Sequence, residues 1–143
     1  MRVFVVDDSA LLREQVIGLL SVIVGIEIVG QAQYALEAFH AISELQPDVV
    51  TLDIHLIGGS GIDVLRRIKR LDPAPIVIML TNSTTPPHRR KCVRAGADFF
   101  LDKSTEFENV REIILSLSDR IDKSAAKSPQ GYFGSLRQFG NDI

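Results

Sequence analysis

Cysteine is nearly absent from this chain: Cys92 stands alone among 143 residues. A single cysteine excludes an internal disulfide and fits a reducing compartment, so a cytoplasmic location is expected. No apolar run approaches the length of a membrane span, and no membrane association is expected. The N-terminus enters a strand-like run at once, without the basic and apolar regions of a secretory leader. Excess charge is missing too. The formal net charge of −2 argues against bulk binding to nucleic acid or an anionic membrane and leaves only local patches. Histidine is sparse, and His40, His55 and His88 lack zinc-site spacing.

What is present is the length of one domain with an ordinary composition, 45% hydrophobic and 24% charged. Val49-Val50-Thr51-Leu52 is a short β-branched run that ends on Asp53. Three other runs end alike: Val3–Val6 on Asp7 and Asp8, Ile76–Leu80 on Thr81, and Phe99–Asp102 on Lys103. Each has the length of a buried strand, and Glu27–Ala32 makes a fifth. Segments of helical period separate them, over roughly 10–23, 34–45, 62–71 and a fourth opened by Pro86-Pro87 and closed by Gly96. A fifth helix is expected after a Thr105–Glu108 capping box. Gly58-Gly59-Ser60-Gly61 reads as loop.

Strands alternating with helices predict an α/β fold, a doubly wound parallel sheet of five strands in the flavodoxin-like order 2-1-3-4-5. The domain spans 1–122. Residues 123–143 lose periodicity and are expected to be a flexible tail, with Tyr132, Phe133, Leu136 and Phe139 as a short docking segment.

A parallel sheet gathers its strand C-termini at one edge, where ligands of open α/β sheets bind. Asp7, Asp8, Asp53, Thr81 and Lys103 therefore converge. Three carboxylates at that range repel, so the site must hold protons or gain a cation. All-oxygen ligation with open positions suits Mg²⁺, or Mn²⁺. Taken singly, each residue has a plainer role: Asp7-Asp8 a helix N-cap, Thr81 a turn hydroxyl, Lys103 a solvated charge, Phe100 and Cys92 core packing, His55 an exposed loop residue. Arg89, Arg90, Lys91 and Arg94 form a solvated helix face or, more sharply, a partner surface. The convergence of the strand-end group favours a shared site.

The set Asp7-Asp8, Asp53, Thr81, Phe100 and Lys103, with Gly61 and Ala95-Gly96-Ala97-Asp98, resembles a receiver domain of a two-component response regulator. The resemblance implies that Asp53 accepts a phosphoryl group from a sensor histidine kinase or phosphotransfer protein. It implies Mg²⁺ held by Asp8 and Asp53 directly, by Asp7 mainly through water, and by the His55 backbone carbonyl. Lys103 and Thr81 would bind phosphoryl oxygens. Thr81 and Phe100 would switch the surface of the fourth helix, fifth strand and fifth helix toward a downstream protein. The chain would be a monomer or weak homodimer that catalyses its own phosphorylation and dephosphorylation. About twenty residues after the domain cannot supply a DNA-binding output domain. Four positions depart from the usual pattern: Ser104 and Ile57 where Pro is frequent, Asn82 where a small residue is usual, and Phe100 where Tyr often stands.

Two rivals fit less well. A hydrolase with an Asp nucleophile would want a second carboxylate two residues on, where His55 stands. A flavodoxin-like binding module would want a phosphate-cradling loop after strand one, where Asp7-Asp8 would repel the phosphate.

Overall fold

The computed structural model describes residues 1–123. The expected tail, with Tyr132, Phe133, Leu136 and Phe139, lies outside the described residues. In chain order the elements are β1 (Arg2–Val6), α1 (Ala10–Ser21), β2 (Glu27–Ala32), α2 (Ala35–Leu45), β3 (Val49–Leu52), β4 (His55–Leu56), β5 (Gly59–Ser60), α3 (Gly61–Ile68), β6 (Ile76–Thr81), α4 (Pro86–Arg94), β7 (Phe99–Asp102) and α5 (Asn109–Lys123). Five strands form one sheet in the order β2-β1-β3-β6-β7. Every neighbouring pair is parallel. Counted within the sheet, this is the expected 2-1-3-4-5. β4 and β5 lie outside it as a short antiparallel ladder, inside the glycine-rich stretch expected to be loop.

The inner strands β1, β3 and β6 are mostly apolar because both faces of the sheet are covered, whereas β2, at one edge, carries exposed Glu27 and Gln31. Side chains alternate between the faces. Phe4, Val6, Val50, Leu52, Val77, Met79 and Phe100 pack with Ala38 and Ile42 of α2, Leu65 and Ile68 of α3, and Cys92 of α4. Val3, Val5, Val49, Ile78, Leu80, Phe99 and Leu101 pack with Val16 and Leu20 of α1 and Ile114 and Leu117 of α5. A one-residue slip of β3 would exchange these two sets, so the register is fixed by fit to both layers. Val6 therefore stands beside Leu52, which levels the ends of β1 and β3, while Leu52 stands beside Met79 and β6 and β7 run on together to Thr81 and Asp102 at the same edge.

Helix boundaries differ from expectation where local hydrogen bonds prevail. α1 stops at Ser21, two residues early, and the chain turns through Gly25 at φ +86°. α3 starts one residue early, at Gly61, and ends three early, at Ile68. The Thr105–Glu108 capping box does not form. Asp102 and Glu106 pair instead: the Asp102 N–H donates to Glu106 Oε1 at 3.0 Å, and the Glu106 N–H to the Asp102 carbonyl at 2.8 Å. That closed turn holds 103–108 out of the helix, which begins at Asn109. Among the described residues no helix is long and apolar enough to cross a membrane.

Candidate functional site

Asp53 follows the last residue of β3, the central strand, and its backbone is clamped on two sides. Its N–H donates to the Val6 carbonyl at 3.1 Å. On the other side Gly61 opens α3 against it: a Cβ at Gly61 would sit 1.8 Å from the Asp53 carbonyl oxygen. Only glycine admits that approach. The Asp53 side chain is consequently fixed at the sheet edge, and the residue is 4% exposed.

Asp7 and Asp8 follow β1, the neighbouring strand. They are not the N-cap of α1. Ser9 holds that place, its hydroxyl accepting the Leu12 N–H at 3.2 Å, while Asp7 Oδ1 accepts the Ser9 N–H at 2.9 Å. Asp7 is 3% exposed and Asp8 is open to solvent. One carboxylate oxygen from each of Asp7, Asp8 and Asp53 lies within 4.8 Å of the other two.

Lys103 reaches them from beyond β7, at the far side of β6. Its Nζ is 2.7 Å from Asp7 Oδ2 and 2.8 Å from Asp53 Oδ2, with the side chain 8% exposed. Two carboxylates thus share one buried cation, with a third, Asp8, beside them. Burial pushes the Asp7 carboxyl above its ordinary value; hydrogen bonds from Lys103 and the Ser9 N–H oppose the push without cancelling it, and the Asp53 charge adds to it. Burial alone would lower the Lys103 ammonium. The hydrogen bonds and charges of Asp53 and Asp7 outweigh it and hold Lys103 above its ordinary value. The lysine gains from two carboxylates, whereas Asp7 has only a share of one lysine. Negative charge is left in excess at the edge.

Thr81 ends β6, fully buried, with Oγ1 accepting the Ser83 N–H at 3.0 Å and its carbonyl accepting the Lys103 N–H at 3.0 Å. Asp7, Asp8, Asp53 and Lys103 lie together, and Thr81 ends the next strand.

Residues 3–115 match the family described as response regulator receiver domain. The chain belongs to that family. The receiver is 37% identical over 123 residues to a protein-glutamate methylesterase/protein-glutamine glutaminase of Methanospirillum hungatei, covering 85% of this chain and 36% of that protein. It is 31% identical over 114 residues to the response regulator GacA of Pseudomonas aeruginosa, covering 80% of this chain and 53% of GacA. It therefore spans about a third of the methylesterase and about half of GacA. Among solved structures, the response regulator domain of Thermotoga maritima CheB superposes with a TM-score of 0.73 at 32% identity, over 84% of this chain and 94% of that one.

Around the receiver's central group the structure adds contacts that sequence reasoning missed. His55 is exposed, as expected, but it opens β4 and its Nε2 lies 2.5 Å from Ser83 Oγ, bridging β4 and the loop after β6. Phe100 is 3% exposed and packs within the core. Arg89 is not a solvated side chain: its guanidinium lies over the Phe100 ring, 5.1 Å from the centroid. Arg90, Lys91 and Arg94 are exposed. Cys92 is core packing, its thiol pushed up to about 11 by burial against the opposing charge of Arg66. Nothing in the sequence pattern links position 89 to 100 or 55 to 83. Those pairs arise only when the loops are folded over the edge.

Proposed function

We propose that Asp53 is the phosphoacceptor of a two-component relay, taking a phosphoryl group from the phosphohistidine of a sensor kinase or phosphotransfer protein. The observation that carries this reading is Lys103 held at once by Asp7 and Asp53, with Asp8 beside them. That arrangement sets an Asp53 carboxylate oxygen against the Lys103 ammonium, beside the solvent-open Asp8. An Asp53 carboxylate oxygen attacks phosphorus, and the P–N bond breaks with its electron pair leaving on the imidazole. Lys103 stays within reach of the new phosphoryl oxygens and donates to them. The acyl phosphate replaces one carboxylate charge by about two negative charges at neutral pH. Thr81 supplies a further donor: its hydroxyl now accepts from Ser83 and turns its own proton to a phosphoryl oxygen.

The acidic edge suits Mg²⁺ or Mn²⁺. Its donors are carboxylate oxygens within 4.8 Å of one another, and Asp8 is open to water. Asp8 and Asp53 would hold the ion, with Asp7 through water and the His55 backbone carbonyl as a further ligand. When bound, the ion supplies positive charge beside the transferring phosphoryl group.

Output follows from the loop that Thr81 leaves. Ser83 loses its partner, and the change reaches α4 and β7 through Phe100 and Arg89, where a downstream protein reads it. Phe100 has no hydroxyl, so the response is one of packing. In this reading the receiver works in the cytoplasm as a monomer or weak homodimer, and it catalyses its own phosphorylation and dephosphorylation.

Intact mass after incubation with a small-molecule phosphodonor and Mg²⁺ tests the proposal. One phosphoryl group should add to the wild type and none to Asp53→Asn. Undiminished labelling of that variant would sink the assignment.

A further inference from the structure

Positive charge in this chain is concentrated away from the acidic edge. Residues 66–94 hold eight of the 16 lysines and arginines but only one of the 18 acids, Asp72. Much of it lines one open groove of about 590 Å³ between the C-terminal halves of α3 and α4, formed by Arg66, Lys69, Arg70, Lys91, Arg94 and Ala95. The groove has no acidic wall. Its floor is rigid: the Lys69 stem lies against Gly96, and its ammonium is tied to Asp98 Oδ2 at 2.8 Å and to the Pro75 carbonyl at 2.9 Å. Arg66 pairs with Asp63 at 3.1 Å. Arg70, Lys91 and Arg94 are exposed, and among the described residues no carboxylate pairs with them.

Cations at a helix C-terminus complement the helix dipole, which accounts for some of this charge. It does not account for the surplus. Arg90 and Arg94 are four apart on α4, and Lys91 and Arg94 three apart, spacings at which like charges repel. Arg70 lies beyond the end of α3 and still faces them across the groove. An anionic group docked there would relieve these repulsions.

We propose that this groove receives an acidic segment of a partner protein that also carries apolar side chains. Arginine forks match carboxylates in bidentate geometry. Val93, the residue before Arg94 on α4, is 42% exposed, an apolar side chain next to the groove's lining residues. Nucleic acid fits less well, because no aromatic lines the groove for a base to stack on and the rest of the chain is acidic and repels a long polyanion. The groove lies at the edge of the sheet opposite Asp53, so the proposal does not depend on Asp53 being phosphorylated.

Fluorescence anisotropy on the full chain tests it, with three labelled probes. These are a peptide of about twelve residues with glutamates and leucines at helical spacing, its Glu→Gln counterpart, and a single-stranded RNA of about twelve nucleotides. The glutamate peptide should bind at low salt and weaken as salt rises, and its glutamine counterpart should not bind. Arg70→Glu with Arg94→Glu should weaken binding roughly tenfold or more. Should that pair fail to melt cooperatively, Arg70→Gln with Arg94→Gln should show a smaller loss in the same direction. No binding of the glutamate peptide, binding unaltered in a folded variant, or a preference for the RNA would each overturn the proposal.

Discussion

Two lysines of this receiver make ion pairs at opposite edges of the same sheet, one buried and one half-buried, and they are satisfied differently. Lys69 meets one carboxylate, Asp98, and one carbonyl, Pro75. Asp98 in turn accepts the Val77 N–H at 2.8 Å. That site is neutral and its donors and acceptors are matched, which ties α3 to the starts of β6 and β7. Lys103 is shared by Asp7 and Asp53, with Asp8 adjacent, so its site is short of positive charge. A matched pair is a structural tie. An unmatched group is held by its surroundings in a state that a cation or a phosphoryl group changes.

Substituting either lysine's site should separate these roles. The largest effect is expected from Lys103→Met, which should slow labelling by a phosphodonor roughly a hundredfold, since it removes the donor proposed to bind the phosphoryl oxygens. Lys69→Met should leave the labelling rate unchanged, and equal rates in the two variants would erase the distinction. Next comes Asp98→Ala. It strands a buried Val77 N–H and a half-buried ammonium, so denaturant unfolding should show a loss of about 2–3 kcal/mol with labelling intact below the transition.

A smaller effect is expected from metal. Mg²⁺ should raise the melting temperature of the wild type by a few degrees, roughly RT ln(1 + [L]/Kd) in free energy. Asp8→Ala should abolish that rise and leave the metal-free stability unchanged or higher. A sharp fall on that change would make Asp8 a structural residue. The smallest effect concerns pH. Asp7 binds its proton more tightly folded than unfolded, so the cost of its charge is present at neutral pH. Acidification through the folded value, toward the ordinary 3.8, relieves that cost. Asp7→Asn should remove this one favourable contribution to the acid limb of a stability curve. Lys103, also raised, contributes stability that is lost only as the pH climbs above 10.5 and through its folded value. An acid limb identical in Asp7→Asn and wild type would show that Asp7 carries no such penalty.

The fold and the strand-end group were legible because parallel strands convert separate sequence endings into one place. Asp8, Asp53, Thr81 and Lys103 needed only strand order and level ends, and both follow from buried apolar runs. The start of α5 was not legible. Thr105–Glu108 and Asp102–Glu106 are competing local bonds of similar strength, and tertiary placement of β7 decides between them. Arg89 over Phe100 was hidden for another reason: in a helix rich in cations, periodicity does not say which one is turned inward. The β4–β5 ladder depends on Gly58 at φ +79°, a backbone state that composition suggests but does not specify.

The tightest tolerance in the molecule belongs to a residue with no side chain. A single carbon added at Gly61 would have to displace the Asp53 carbonyl or the first turn of α3. Every other amino acid carries that carbon, so all substitutions meet the same obstacle before their chemistry matters. Conservative and radical replacements should therefore be almost equally damaging there, unlike at Asp7 or Asp53, where charge and shape grade the outcome. Natural variation in chains of this kind should reach the surrounding side chains long before it reaches position 61.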